Sequence, residues 1–498
     1  MLAAALAAAA HAGAAAVVSY VRSGDRVMFK LDTGAAEIEW LTDSSFRWRQ
    51  SFTGELPETR RSGREPVEPR VDDAGVELRF ATRYLTVSVR KRGLAVRARK
   101  VDGTLVFEDL RPPEYSGGAV RLARAAEWGV SLYGLGPRAD GSLNARGKVV
   151  RAGIPFLLSS AGYGEYFATP AAYTFEMTHA DRYLVEARGP AVLDYAFCYG
   201  PTPKEVFEDL YLTGVEIPAP PPAPVQPGWE GLRSALLRVL HGSLSGLTGP
   251  VFEEAAFRSA PAEVRQAARQ LAGLMSPGLR PELGPYFTAY KQEVRDRGLA
   301  PVRAMPFQFS GDAEAARHSG QFMLGDELLV SPVLAPGGVR QVYLPRGIWT
   351  RLDTNEIHNG RQTIGIASGE PVLLARNGSI VPFERSGRIE LHYFPRLGGE
   401  FFLYESEPGD YSQAHAAPAG DILRLQIESK RTRDYCWVVR HVDRPARVAF
   451  ENREYAEVPA RSNLRHETWF YDAASRSLWV RVRVAADEDR IVNVMGSR

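Results

Sequence analysis

The sequence predicts a mainly β protein with a helical insert in its middle. In most of the chain, apolar and polar residues alternate in short runs separated by turns rich in glycine and proline, which is typical of half-buried antiparallel strands. Between residues 229 and 298 the apolar residues instead recur every three or four positions, as on one face of a helix. A proline-rich segment separates the first β region from this helical stretch.

The first β region is predicted over residues 17–217. Runs such as VMFKL, VELRFA and LAVRARK alternate apolar and polar residues up to about residue 107. The runs SLYGLG, IPFLLSS, GEYFATP and AVLDYAFCYG continue the pattern from residue 128 to residue 199. Strands of this number and length predict a large β-sandwich. The segment PTPKEVFEDLYL predicts a short amphipathic helix that ends before Gly214.

Residues 218–300 are predicted to hold a linker followed by three helices. The segment EIPAPPPAPVQPG contains too many prolines for a helix or a central strand and favours an extended linker. The apolar positions after it form three helical stripes, over residues 229–247, 264–275 and 283–294, and the last stripe stops at Gly298.

The alternating pattern returns from residue 305, in runs such as ELLVSPVLA, RIELHYF, ILRLQIES and LWVRVRV. This second run of antiparallel sheet is long enough for two small domains. We predict C-terminal β-domains at residues 301–385 and 386–498.

Charge and motif content exclude several classes of function. The 498 residues include 61 basic and 59 acidic ones, a net charge of +2, which argues against nucleic acid or an anionic membrane as a partner. The nine histidines show no metal-ligand spacing and no nucleotide-binding motif occurs, so we expect neither a metal nor a cofactor. Cys198 and Cys436 each lie in an apolar run and are interpreted as free, buried side chains.

Residues 1–16 are almost entirely apolar and rich in alanine. Either a signal peptide or a disordered tail has this composition, although a signal peptide normally begins with Lys or Arg. A signal peptide would place the protein in the periplasm or outside the cell, and a tail would leave it in the cytoplasm. Alanine is a weak membrane former, so we expect no membrane anchor.

Several phrases, in their order along the chain, resemble glycoside hydrolase family 31, the family of α-glucosidases and α-xylosidases. In the first β region they are YGLG (133–136), IPFLLSS (154–160) and YGPTPKEV (199–206). In the last third they are QFMLGDELLVSPVL (321–334), VYLPRGIW (342–349) and RNGSIVP (376–382). The resemblance covers most of residues 75–410. It implies an N-terminal galactose-mutarotase-like β-sandwich, two C-terminal β-sandwich domains and an ancestral reaction that hydrolyses α-O-glycosyl bonds.

The family's catalytic (β/α)₈ barrel does not fit into this chain. Such a barrel takes roughly 250 residues, whereas about 90 lie between Pro218 and Ser310. Residues 229–247 resemble the family's helix that follows the phrase W-x-G-D with its acid/base aspartate, but Gln226-Pro227-Gly228 precedes them here. The resemblance therefore implies that residues 218–300 are a truncated barrel remnant from which the catalytic aspartates are deleted.

Glu253 and Glu254 are the candidate substitutes for the missing catalytic pair. They replace part of a sugar-contacting D-I-G-G-F phrase of the family with FEEAAF. Hydrolysis with retention needs two carboxyl groups about 5 to 5.5 Å apart, whereas adjacent residues in a strand point to opposite faces. We therefore expect a charged helix start or a solvated loop here. Glu293 and Asp296, one turn apart on the third helix, are likewise expected on a solvated face.

Six tryptophans could stack on sugar rings, but core packing is the expected role of each, because aromatic residues are abundant in sheets. They are Trp40, Trp48, Trp128, Trp229, Trp349 and Trp437.

The leading hypothesis is a catalytically degenerate protein of carbohydrate metabolism that binds a carbohydrate, such as an α-glucoside or α-xyloside, or a protein partner. The alternative is an active hydrolase that uses unrecognised carboxylates or a barrel completed by another chain. Self-association is a further expectation, because a truncated barrel exposes strand edges and apolar helix faces. An internal deletion in an ordinary enzyme gene would produce the same pattern.

Overall fold

A computed structural model of the chain describes residues 14–58, 67–221, 224–249, 252–275, 280–405, 410–451 and 453–496. Nearly all of the alanine-rich start lies outside these residues, so both interpretations of residues 1–16 stay predictions. The chain divides into two compact units. The first comprises Met1–Gly136 and Asn144–Pro220, and the second comprises Pro137–Leu143 and Pro221–Arg498.

The described part of the first unit contains the strands β1 to β18 and the helix α1. The strands are β1 (Val17–Ser23), β2 (Arg26–Leu31), β3 (Ala35–Trp40), β4 (Ser45–Ser51), β5 (Arg70–Asp73), β6 (Glu77–Ala81), β7 (Leu85–Arg90), β8 (Val96–Lys100), β9 (Leu105–Glu108), β10 (Glu114–Ser116), β11 (Ala119–Ala125), β12 (Leu132–Gly134), β13 (Val149–Arg151), β14 (Phe156–Ser159), β15 (Tyr163–Phe167), β16 (Ala172–Glu176), β17 (Arg182–Arg188) and β18 (Val192–Tyr199). The helix α1 spans Pro203–Leu212.

These strands form three antiparallel sheets. The orders are β1-β2-β3-β4-β18-β15-β14-β12, β10-β11-β17-β16-β13 and β5-β6-β7-β8-β9. Burial alternates along strands such as β2, where Val27, Phe29 and Leu31 are buried while Met28 and Lys30 between them are exposed. One continuous apolar core lies between the sheets. The predicted β-sandwich character of this region is therefore confirmed.

The helix α1 begins where the sequence predicts it, because Thr202 caps it. The Thr202 hydroxyl accepts from the Glu205 amide, and the Glu205 carboxylate accepts from the Thr202 amide at 3.0 Å. Pro203 occupies the first helical turn, where no amide hydrogen is needed.

The helical stretch of the second unit confirms the three predicted stripes. Its helices are α2 (Trp229–Ser243), α3 (Ala262–Gly273), α4 (Gly284–Arg297) and the short α5 (Met305–Gln308). The helix α4 ends at Gly298, whose φ of 66° is the left-handed conformation that glycine adopts without strain. No described helix combines the length and the apolar composition needed to cross a lipid bilayer.

The strands of the second unit follow α4 in the chain. They are β19 (Val302–Ala304), β20 (Phe322–Leu324), β21 (Leu328–Ser331), β22 (Val339–Leu344), β23 (Ile348–Arg351), β24 (Ile357–Asn359), β25 (Gln362–Ala367), β26 (Val372–Arg376), β27 (Ile380–Arg385), β28 (Arg388–Tyr393), β29 (Gly399–Tyr404), β30 (Tyr411–Ala419), β31 (Ile422–Ser429), β32 (Arg433–Val439), β33 (Arg447–Phe450), β34 (Arg453–Glu454), β35 (Ala456–Glu457), β36 (Thr468–Asp472), β37 (Ser477–Val484) and β38 (Glu488–Met495).

Four sheets are built from these strands. Their orders are β19-β20-β21-β26-β23-β24, β22-β25, β27-β28-β32-β37-β36-β35 and β29-β30-β31-β38-β33-β34. The strands β26 and β27 are consecutive in the chain but belong to different sheets. The predicted bounds of the individual domains stay predictions. Cys198 and Cys436 are free and buried, as expected.

Candidate functional site

The region where a catalytic barrel would lie consists of helices. Between β18 and β19 the described residues form α1 to α4 and short 3₁₀ turns, and no strand. The parallel strand pairs in the described sheets are β28 with β32 and β35 with β36, both near the C-terminus. A (β/α)₈ barrel positions its catalytic groups at the ends of eight parallel strands, and none of the described sheets has that form.

Glu253 and Glu254 lie at the start of a 3₁₀ turn, Glu254–Phe257, and not in a strand. Glu253 is exposed. Glu254 borders an open pocket of about 640 Å³ and lies 3.4 Å from the guanidinium of Arg269 on α3. It is the one acidic residue among the described residues that line this pocket, where Arg258 and Arg265 are further neighbours. The arrangement matches the expected charged helix start: Glu254 faces arginines and not a second carboxyl group.

The expectation for Glu293 is wrong. Its side chain is largely buried, and its carboxylate bonds to the buried guanidinium of Arg303 as well as to Arg297 at 3.2 Å. The periodicity of α4 placed Glu293 on the polar side of the helix, but Arg303 from β19 packs against that side. Asp296 accepts a hydrogen bond from Gln292 within the same helix.

A second acidic cluster connects α4 to the turn between β20 and β21, and sequence reasoning missed it. The Glu327 Oε2 atom lies 2.6 Å from the Tyr290 hydroxyl and 2.8 Å from the Tyr286 hydroxyl. Burial raises the pKa of the Glu327 carboxyl to about 7, and the charge of Asp326 adds to the shift. Both tyrosines are buried, so the cluster has no room for a substrate.

The first unit contains a buried ionic cluster in its core. The Arg124 guanidinium is fully buried between the rings of Phe107 and Tyr195, 4.4 Å and 4.8 Å from their centroids. It forms ion pairs with Asp109 and, at 3.2 Å, with Glu165. Burial raises the pKa of Glu165. The cluster is closed to solvent, so we infer that it stabilises the fold and does not bind a ligand.

Trp128 contradicts the expectation that it packs in the core. Its side chain is 86% exposed, whereas Trp40, Trp48, Trp349 and Trp437 are buried as expected. The reason is local: Val130 N donates to Glu127 O and Gly129 has a φ of 86°, so Trp128 lies at the tip of a β-turn, not in a strand. The Trp-Gly dipeptide was the sequence signal that could have indicated this turn.

Trp128 forms one wall of a pocket of about 400 Å³. Residues 177–180, Asn144 and Arg146 also line it. His179 and Thr178 are on the rim, where both side chains contact Glu176, at 3.4 Å and 3.0 Å respectively. The pocket therefore combines an aromatic face with polar groups that can donate and accept hydrogen bonds.

One arginine holds both walls of this Trp128 pocket in place. The guanidinium of Arg146 donates to the carbonyls of Ala126, Glu127 and Val130 on the Trp128 side, at 3.1, 2.9 and 2.8 Å. It also donates to the His179 carbonyl on the other side, at 3.1 Å. The pocket is consequently preformed, and a ligand would not need to order its loops.

The described residues contain no group of three or more His, Cys, Asp or Glu side chains arranged to hold a metal ion. The segment Pro137–Leu143, which lies between β12 and β13 in the chain, belongs to the second unit. There Arg138 lies 3.3 Å and Asp140 3.5 Å from the buried imidazole of His241 on α2.

Comparisons with known proteins agree with this architecture. Residues 298–381 match the family model for the glycosyl hydrolase family 31 C-terminal domain. An α-glucosidase of Saccharolobus solfataricus is 32% identical over 106 residues, which are 21% of this chain and 15% of the relative. The chain is a glycoside hydrolase family 31-like protein.

Two solved structures have the same fold as this family 31-like chain. A dextranase of Flavobacterium johnsoniae, solved with isomaltotriose, superposes with a TM-score of 0.81 at 13% identity, covering 97% of this chain and 100% of the dextranase. A cycloalternan-forming enzyme of Listeria monocytogenes, solved with a pentasaccharide substrate, gives a TM-score of 0.79 at 14% identity, covering 98% and 77%. The chain matches less than a sixth of the length of the α-glucosidase.

Proposed function

We propose that this family 31-like chain binds an α-linked gluco-oligosaccharide in the Trp128 pocket and does not hydrolyse it. The observation that carries the proposal is the exposed indole of Trp128 on a preformed pocket that polar side chains help to line. The ligand class is supported by the two structural relatives, which were solved with isomaltotriose and with a pentasaccharide.

The shape and chemistry of the pocket suit a sugar. A pyranose ring has one face of C–H groups, which packs on an aromatic face, and an edge of hydroxyl groups, which needs hydrogen-bond partners. Trp128 supplies the aromatic face, and His179 and Thr178 supply polar groups at its rim.

The acidic residues support binding without hydrolysis. A retaining glycosidase needs two carboxyl groups about 5 to 5.5 Å apart, one as nucleophile and one as acid. In the described helical region Glu254 is paired with Arg269, and Glu293 with Arg303 and Arg297. Each of these carboxylates pairs with arginine and not with a second carboxyl group, so the two do not form a pair of nucleophile and acid.

Calorimetric titration with isomaltotriose tests the binding. We expect saturable heat with the wild-type chain and binding weakened about tenfold, or about 1.4 kcal/mol, in Trp128→Ala. Trp128→Tyr should retain most of the affinity because it keeps an aromatic face. Tyr84→Ala removes an exposed aromatic residue of the same unit outside the pocket and serves as the matched control. Equal affinity in Trp128→Ala and wild type would refute the site.

A separate assay tests whether the chain hydrolyses glycosides. Purified protein should release no p-nitrophenol from the α-glucoside or the α-xyloside. Turnover that disappears in Glu253→Gln or Glu254→Gln would show that the alternative, an active hydrolase, is correct. Turnover that appears only on addition of a second chain would favour a completed barrel. Sedimentation at micromolar concentration tests self-association in the same preparation.

A further inference from the structure

The second unit contains a cavity that the proposed function does not use. It lies where the sheet that contains β23 and β26 meets the β28–β29 connection, the β30–β31 turn and the segment after β32, and its volume is about 310 Å³. Its walls are largely apolar and include Ile348, Ile422, Leu423 and Val442. Ligand pockets in proteins have volumes from about 300 Å³ upwards, so the cavity can hold a small organic molecule.

The polar groups of this cavity are basic or neutral. Arg396, His441 and Arg476 line it, and none of its described lining residues is acidic. Arg476 forms an ion pair with Asp443 at 2.7 Å. Arg396 has no ion pair among the described residues. Burial, with the charges of neighbouring arginines, lowers the pKa of His441 to about 4, so its imidazole is uncharged at neutral pH.

The backbone at these three residues is unusual. Arg396, His441 and Arg476 have φ values of 99°, 55° and 48°, in the left-handed region that non-glycine residues rarely adopt. Such strain persists only where the surrounding structure enforces it, and it clusters at functional sites. Three residues with this uncommon backbone conformation therefore lie around one cavity.

Hydrogen bonds hold the walls of the cavity in position. The Asn377 side chain donates to Pro395 O at 2.6 Å, beside Arg396. The Thr350 hydroxyl lies 3.3 Å from Nε2 of His441. Val442 N donates to Arg476 O at 3.0 Å. These bonds connect strands that precede and follow β27, so the cavity exists before any ligand enters it.

We propose that this cavity binds a small carboxylic acid whose hydrocarbon part packs on the isoleucine and valine walls and whose carboxylate pairs with Arg396. An anion is favoured because the lining offers a guanidinium and no carboxylate. A ligand with a hydrocarbon part is favoured because Ile348, Ile422, Leu423 and Val442 form an apolar wall. The proposal concerns a different surface from the Trp128 pocket and stands independently of it.

Titration with cyclohexanecarboxylate and with its neutral analogue cyclohexylmethanol tests the charge requirement. We expect saturable binding of the acid at millimolar concentration or below and binding at least tenfold weaker for the alcohol. Increasing salt should weaken only the binding of the acid. Equal binding of both compounds, or no binding of the acid, would overturn the proposal.

Variants of the arginine locate the site. Arg396→Gln should weaken binding of the acid at least tenfold, while Arg396→Lys, which keeps the charge, should retain part of it. The control is Arg361→Gln, which removes an exposed arginine of similar left-handed backbone, with a φ of 59°, that does not line the cavity. Unchanged affinity in Arg396→Gln, or equal loss in Arg361→Gln, would refute the assignment. If Arg396→Gln does not fold, Arg396→Lys in the same titration decides the question, since complete loss of binding there would contradict the charge pairing.

Discussion

Replacing Glu327 with glutamine should remove a pH dependence of folding stability that its carboxyl group imposes. Tyr286 Oη lies 2.6 Å from the carbonyl oxygen of Leu324 and 2.8 Å from Glu327 Oε2. A carbonyl oxygen only accepts, so the single Tyr286 hydrogen is committed to Leu324. The contact with Glu327 then needs a proton from the carboxyl group. Because Tyr290 donates to the same Oε2 atom at 2.6 Å, a protonated Glu327 satisfies every contact.

The size of the effect follows from the pKa of Glu327. That pKa is about 7 in the folded chain against 4.5 for an ordinary glutamate, which corresponds to about 3 kcal/mol at about 1.4 kcal/mol per pKa unit. Because the folded pKa is raised, the folded state holds the proton more tightly than the unfolded chain. Its contribution to stability is complete below about pH 4.5 and is lost as the pH rises through 7. Asp326 and Arg303 carry the charges that act on the Glu327 carboxyl group. Arg303 itself forms ion pairs with two carboxylates, those of Asp326 and Glu293.

Urea denaturation of wild type and Glu327→Gln between pH 5 and 8.5 measures this pH dependence of folding stability. A glutamine amide mimics the protonated acid, so the two proteins should have similar stability at pH 5. The variant should become the more stable one above pH 7, by up to about 3 kcal/mol. The matched control is Glu384→Gln on the exposed end of β27, whose difference from wild type should not change over this range. A difference between wild type and Glu327→Gln that is the same at pH 5 and pH 8.5 would refute the protonated carboxyl.

Three further predictions concern packing and charge. Arg124→Met should lower the free energy of unfolding by about 3 to 5 kcal/mol in a denaturant titration, because it leaves Asp109 and Glu165 buried without a cation. Arg121→Met, on the same strand but with a partly exposed partner, should lower it by less than about 1 kcal/mol. Equal losses of stability in the two variants would contradict the burial argument. Gly325→Ala should lower the melting temperature far more than Gly24→Ala. Both glycines have φ near 60°, but a Cβ at Gly325 would clash with the Tyr290 ring, while a Cβ at Gly24 would face open space. Burial raises the pKa of the Cys198 and Cys436 thiols, so a thiol reagent should label neither residue in the folded chain and both in urea, and fast labelling before unfolding would be the contrary result.

Much of the architecture followed from short-range pattern. The three helical stripes predicted α2, α3 and α4, because a period of three to four apolar residues specifies the face that a helix buries. Gly298 marked the end of α4, because glycine adopts the left-handed backbone conformation without strain.

The candidate sites depended on contacts between distant segments. Glu293 was predicted to be solvated, yet Arg303 from β19 covers it. Trp128 was predicted to be buried, yet a turn presents it to solvent beside residues 177–180. The contact of Glu293 has no signal in the spacing of α4, because Arg303 lies outside that helix, whereas the Trp-Gly dipeptide is a local signal for the turn at Trp128.

The sequence by itself determined that the chain is mainly β with a helical insert, that its two cysteines are buried, and that its phrases resemble family 31. These properties depend on neighbours within a few residues, where hydrophobic period and turn chemistry act directly. Only the tertiary structure decided that Glu327 lies between two tyrosines, that Arg146 shapes a pocket around Trp128, and that three strained residues surround one cavity. Burial and the pairing of charges are properties of the assembled fold, since the groups that desolvate or neutralise a side chain come from distant parts of the chain.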